Sequence, residues 1–149
     1  MLTLEILNSI EKSVLCWLAT ANKEGFPNVS PKEMFIASGK HHLVIANIAS
    51  PQTAKNIKAN PKVCVSFIDI LVQKGFQLKG SAVIITKKEE QFATLAAPLV
   101  QMTEGKFPFH ELFYIEVEKV KPITAPSYWM YPETTEAEKV ASAKKSYGI

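Results

Sequence analysis

At 149 residues the chain has the length of one domain, and 47% hydrophobic against 21% charged residues with 6 glycines excludes disordered, collagen-like and coiled-coil classes. The net charge of +3 arises from 17 basic and 14 acidic residues that are scattered along the chain, so no nucleic-acid-binding face is expected. Every basic residue is lysine and arginine is absent, so a bound phosphate must be held by lysine, hydroxyls or backbone N–H groups without a guanidinium fork.

From the N-terminus, residues 3–13 place Leu7, Ile10 and Val14 at i, i+3 and i+7, which predicts a short amphipathic helix. Val14–Thr20 then reads as a strand, and its apolar run Val14–Ala19 is far shorter than the ~20 residues that cross a bilayer. Asn22-Lys23-Glu24-Gly25 supplies a turn, so Phe26–Ile36 is expected to return as a hairpin partner. Within it Pro27 and Pro31 are four apart and lack N–H groups on the same side, which predicts a split or bulged edge there. Ser38-Gly39-Lys40 makes the next turn and His42–Asn47 a third strand. Ser50-Pro51-Gln52-Thr53 opens a helix that ends at Asn60-Pro61.

Val63–Asp69 and Phe76–Ile85 alternate as strands, and Lys88–Ala97 is predicted as a helix stopped by Pro98. Leu112–Val120 is the last strand, with Phe113, Ile115 and Val117 inward. Residues 121–132 contain three prolines and three aromatics. Glu133–Lys145 places acids first and lysines last, as a helix dipole favours, but has almost no apolar face, so it is expected to dock weakly. Six strands joined mostly by hairpins predict a mainly β fold, a six-stranded antiparallel split β-barrel with short helices over residues 1–125. Residues 126–149 form an aromatic segment and tail.

Cys16 and Cys64 both lie in apolar runs and read as reduced core thiols. Glu5 and Glu11 stand where a signal peptide would be basic, so a cytoplasmic, reducing location is expected. No His, Cys or acidic pair has metal-ligand spacing, and no bound metal is expected. His41 and His42 adjoin a turn and His110 lies in a Pro-rich loop; none has the frame of a hydrolase triad. What stands out is Ala49-Ser50-Pro51-Gln52-Thr53-Ala54-Lys55-Asn56, where a strand delivers the chain to a helix N-terminus. Free N–H groups, two hydroxyls and the helix dipole suit a phosphate there; an ordinary N-cap with a solvent-facing Lys55 satisfies the same pattern. The strand 28–34 is too polar to be all core and is placed to line a groove beside that helix.

Leu18-Ala19-Thr20, Gly25-Phe26-Pro27-Asn28-Val29-Ser30-Pro31, Ser50-Pro51-Gln52-Thr53-Ala54-Lys55-Asn56-Ile57, Asn60-Pro61-Lys62-Val63 and Gly75-Phe76-Gln77-Leu78-Lys79-Gly80-Ser81-Ala82 occur in this order over residues 3–125. Together they resemble the pyridoxamine 5′-phosphate oxidase-like, FMN-binding split-barrel family. The resemblance implies a homodimer with FMN in the groove between two chains. It implies that Ser30, Pro31, Lys32, Glu33 and Met34 run along the isoalloxazine, and that Asn47, Ile48 and Ala49 border the ring and ribityl chain. Ser50, Gln52 and Thr53 would hold the phosphate, supported by Lys55 and Asn56, and Trp129 would cover the flavin, in cis or in trans. The implied function is that of an oxidoreductase or electron-transfer protein with a small-molecule redox partner. A flavin carrier or sensor, or a barrel holding deazaflavin F420 or haem, is the alternative. The true oxidase of this family grips its substrate with arginines, which this chain lacks, so that reaction is not expected.

Overall fold

A computed structural model describes residues 1–149. Helix α1 (Leu4–Lys12) is followed by strands β1 (Cys16–Ala21), β2 (Pro27–Lys32), β3 (Phe35–Ser38) and β4 (His42–Ala46), then helix α2 (Pro51–Ala59). Strands β5 (Lys62–Asp69) and β6 (Lys74–Thr86), helix α3 (Phe92–Thr103), strand β7 (Glu111–Thr124) and helices α4 (Ser127–Met130) and α5 (Glu136–Tyr147) complete the chain. No helix is long and apolar enough to cross a membrane.

The strands form one antiparallel sheet in the order β2-β1-β5-β6-β7-β4-β3. Its two outer strands, β2 and β3, are consecutive in sequence and separated only by Glu33 and Met34. So short a link reaches only about 10 Å, so the sheet must curl until its two edges approach at that corner. The result is a split barrel of seven strands where the sequence predicted six. The extra strand comes from the predicted segment Phe26–Ile36, which breaks in two. Lys32 and Phe35 are both buried, at 7% and 4% exposure, and residues three apart fall on opposite faces of a continuous strand. The chain therefore kinks between them. Pro27 and Pro31 lie on β2, which pairs only with β1, as expected of an edge.

The main core lies inside the barrel and includes Leu18, Phe35, Val65, Phe67, Leu78 and Phe113, joined by Leu2 just before α1 and by Ile6 and Ile10 on it. Val14, expected on that helix face, follows the helix and is 82% exposed. Phe113, Ile115 and Val117 point inward, as alternation predicted. At the Lys79/Gly80 bulge a Cβ on Gly80 would collide with the Glu116 carbonyl oxygen, so only glycine lets β6 and β7 approach. Cys16 is buried inside and Cys64 is half-buried; both are free thiols.

A second core forms where α3 covers Val44, Ala46, Ile85 and Leu112. This helix corrects the expectation for Lys88–Ala97: it starts at Phe92 and continues through Pro98 to Thr103. Its buried face, Phe92, Ala96, Leu99 and Thr103, runs across the proline, while Pro98 itself is exposed. The continued burial offsets the one lost helical hydrogen bond. The tail helix α5 begins with a capping box between Thr135 and Glu138 and buries only Lys139 and Ala143. The segment is tied to the β5–β6 turn by Tyr128, whose hydroxyl donates to the Val72 carbonyl at 2.6 Å. The ammonium groups of Lys74 and Lys139 lie 4.3 and 4.6 Å from the Tyr128 ring centroid.

Candidate functional site

Between β4 and α2 the chain makes a tight turn through Asn47, Ile48, Ala49 and Ser50. Asn47 Nδ2 donates to Glu111 Oε2 at 2.9 Å, and Asn47 Oδ1 accepts from the Ser50 N–H at 3.1 Å. Ala49 takes a left-handed conformation, φ 52°, that only a well-braced non-glycine residue keeps. Ser50 occupies the N-cap position, but its side chain does not cap α2. Its hydroxyl instead accepts from Lys32 Nζ at 2.8 Å. The first-turn N–H groups of α2 are thus left without a side-chain cap beside a lysine ammonium.

Lys32 is the centre of this arrangement. Its ammonium also donates to Ser30 Oγ at 2.6 Å and to the Pro31 carbonyl at 3.3 Å, and Ser30 Oγ lies 3.3 Å from Thr53 Oγ1. None of the molecule's three ion pairs includes Lys32. A buried cation with hydroxyl and carbonyl partners but no carboxylate is costly in an isolated protein. Burial holds the Lys32 ammonium below the usual lysine range, an effect that Cys16 opposes in part only where it is ionised. Cys16 is itself pushed up to about 12 by burial, so it stays a neutral thiol at neutral pH. Behind the cluster, Asn56 is 2% exposed; it donates to Thr20 Oγ1 at 3.0 Å and accepts from Gln52 Nε2 at 2.8 Å. These bonds fasten α2 to β1 and leave no buried side-chain polar atom unpaired.

Two cavities adjoin the turn. One, of about 270 Å³, is lined by Pro31, Lys32, Glu33, Met34, Ala46, Ile48 and Phe107. The other is a larger open groove of about 860 Å³ on another face of α2, bordered by Asn47, Ser50, Lys55, Lys58, His110 and Glu111 among others.

The residues singled out in the sequence therefore divide by position. Ser30, Lys32, Ser50 and Thr53 converge in one cluster, and Pro31, Glu33, Met34 and Ile48 line the adjoining smaller cavity. Asn47 and Ala49 shape the turn between β4 and α2. The side chains of Gln52 and Asn56 bond each other, so they brace the helix. Lys55 faces the larger groove with Lys58. Trp129 is 69% exposed on α4, whose segment is tied to the β5–β6 turn; neither cavity beside α2 includes it. Sequence reasoning missed Phe107, Ala46 and the groove position of His110. Phe107 carried a usable signal, a large apolar residue between Gly105 and Pro108 in a predicted loop.

The curled seven-stranded antiparallel sheet, whose two edges meet across Glu33 and Met34, defines a split-barrel protein. Residues 2–124 match the family model for pyridoxamine 5′-phosphate oxidase, and the chain belongs to this family. Among solved structures it is similar to HupZ of Group A Streptococcus, with a TM-score of 0.73 and 23% identity over 84% of this chain and 96% of that one. It is also similar to an FMN-binding protein from Syntrophomonas wolfei, with a TM-score of 0.68 and 16% identity over 81% and 88% of the two chains. HutZ, the heme storage protein of Vibrio cholerae, matches with a TM-score of 0.65 and 19% identity over 80% and 92%. At these identities the likeness establishes the fold. Among curated proteins no sequence matches.

Proposed function

We propose that the chain is an FMN-binding flavoprotein that acts as an oxidoreductase or electron-transfer protein. The observation that carries this reading is Lys32: a residue 7% exposed whose ammonium is bonded to Ser30 and Ser50 and lacks any carboxylate partner, beside the uncapped start of α2. A phosphate supplies the missing negative charge and accepts from the ammonium, the hydroxyls and the free N–H groups. The residues present therefore fit the phosphate end of FMN. Ser30, Lys32, Ser50 and Thr53 would hold that end, and the cavity from Pro31 to Met34 with Ile48 would take the edge of the ring. When bound, the flavin supplies the redox chemistry, accepting electrons from a reductant and passing them on. The protein's part is to bind, orient and shield: the lysine fixes the phosphate, and apolar walls exclude water from the ring.

The small cavity is shallow against the size of a flavin, which supports a homodimer in which a second chain closes the groove. Trp129, which borders neither cavity beside α2 in its own chain, would then act in trans. The absence of arginine argues against turnover of pyridoxamine 5′-phosphate, whose recognition would lose every bidentate contact.

The absorption spectrum of freshly purified protein tests this reading. A flavin spectrum at about one FMN per chain, retained by a dimer, is the expected result. Colourless protein that added FMN cannot restore overturns it. A haem reading has one observation in its favour: His110 borders the larger groove and would supply an imidazole to hold the iron there. A Soret band on adding haem, lost in His110→Ala, would favour it, and a deazaflavin spectrum would identify the ligand as F420.

A further inference from the structure

The loop from α3 to β7 is short and stiff, yet it holds a large apolar ring in solvent. Glu104 and Gly105, both left-handed at φ 51° and 71°, end α3 sharply, with the Gly105 N–H donating to the Val100 carbonyl at 3.2 Å. Pro108 restricts Phe107 to extended backbone. Phe109 is 6% exposed and packs on Phe92 with ring centroids 6.3 Å apart, which anchors the loop in the second core. Between these fixed points Phe107 is 57% exposed and forms one wall of the small cavity. Met34 and Ile48, which also line that cavity, pack against the same second core and so are held in place. Phe107 thus keeps more than half of its surface open beside Met34 and Ile48, and that surface is buried when a flat apolar ligand covers it.

We propose that Phe107 is the ring wall of the ligand site, a specificity-determining residue that favours planar ligands independently of their phosphate. This rests on the flavin reading above and extends it, because it assigns ring and phosphate recognition to separate elements. Ring recognition comes from the α3–β7 loop with Met34 and Ile48, and phosphate recognition from Lys32 with the start of α2. The site should therefore also hold riboflavin, through the ring wall alone, and less tightly than FMN.

The test is titration of the apo form of the full-length protein with FMN and with riboflavin, read by affinity and by bound-flavin fluorescence. Phe107→Ala should weaken both ligands by the same factor, about five- to tenfold, and raise the fluorescence of bound flavin as stacking is lost. Phe107→Trp should retain affinity and quench further. Because the side chain is exposed, the melting temperature of Phe107→Ala should match wild type, which separates ring contact from misfolding. Unchanged affinity and fluorescence in Phe107→Ala, with wild type binding FMN, would overturn this proposal and leave the flavin reading standing. A loss for FMN alone would overturn it too, by moving Phe107 to the phosphate end. Wild-type protein that binds neither flavin would remove the flavin reading and this proposal together.

Discussion

Inside the barrel, Leu18, Phe67, Leu78, Phe113 and Ile115 are at most 2% exposed and form one apolar cluster. At the seam between β2 and α2 the buried side chains are Thr20, Lys32, Thr53 and Asn56, at 4%, 7%, 1% and 2% exposure. Burial is nearly equal, and the physics is opposite. The interior is stabilised by apolar area removed from water and by close packing. The seam is held by two short chains of hydrogen bonds, one from Gln52 through Asn56 to Thr20, the other from Thr53 through Ser30 and Lys32 to Ser50. The first chain is closed and braces the helix. The second passes through a cation without a counter-charge, which is costly in an isolated chain and is where the proposed phosphate would sit.

The largest expected effect belongs to the interior. Phe113→Ala should cost about 3–5 kcal/mol in denaturant unfolding, through lost burial and the cavity left behind. The preference for FMN over riboflavin should survive in the folded fraction; a cost below about 1 kcal/mol would break the contrast between the two regions. Lys32→Met should do the reverse. Loss of charge-assisted hydrogen bonds worth about 1.5–3 kcal/mol predicts FMN affinity reduced about 10- to 100-fold, with riboflavin little changed. The melting temperature of the apo protein should hold or rise, since the substitution removes a buried charge. Equal losses for the two ligands would show that Lys32 shapes the ring cavity and not a phosphate site. Asn56→Ala should cost about 1–3 kcal/mol by orphaning the Thr20 hydroxyl and freeing Gln52, and should weaken FMN only as far as α2 loosens. Hydrogen exchange confined to α2 and β1 would sharpen that assignment.

The same contrast explains what the sequence made legible. Alternation along Val63–Asp69 and Leu112–Val120 identified inward faces because the barrel interior follows a period of two, and apolar residues report it directly. The kink at Glu33-Met34 was not legible. It depends on Lys32 turning inward until it is buried, and a polar strand read as lining a groove does not tell that its lysine is enclosed until α2 is known to pack beside it. For the same reason the resemblance grouped Ser50, Gln52 and Thr53, with Lys55 and Asn56 in support, as one phosphate site, although the helix points them in different directions. Ser50 meets Lys32, Thr53 meets Ser30, Asn56 turns to Thr20, and Lys55 faces the other groove. Proline misled at α3, where local propensity yielded to a buried face extending past Pro98.

The smallest effect expected is a pH dependence that only the seam should carry. Burial lowers the Lys32 pKa in the folded protein, whereas the unfolded chain titrates near ~10.4. Between those two values the unfolded chain holds a proton that the folded chain has released, so the apo protein gains stability as pH rises through that window. Below it the full cost of the buried charge is present. Cys16 acts with the opposite sign: folded at about 12 and unfolded near ~8.5, it loses stability for the fold as pH rises through that range. Of the other side chains around the ammonium, Ser30, Ser50 and Thr53 do not titrate here. The comparison is therefore cleanest in a Cys16→Ala background, with and without Lys32→Met, where the difference in stability should shrink with rising pH. A bound phosphate, a dianion above about pH 6, must raise the Lys32 pKa again, so FMN binding takes up a proton in the alkaline range. FMN affinity should then fall as pH rises past the depressed Lys32 value, while riboflavin affinity stays level until the flavin ring itself titrates. Parallel curves for the two ligands would place the phosphate away from Lys32 and leave the seam's open charge without a role in binding.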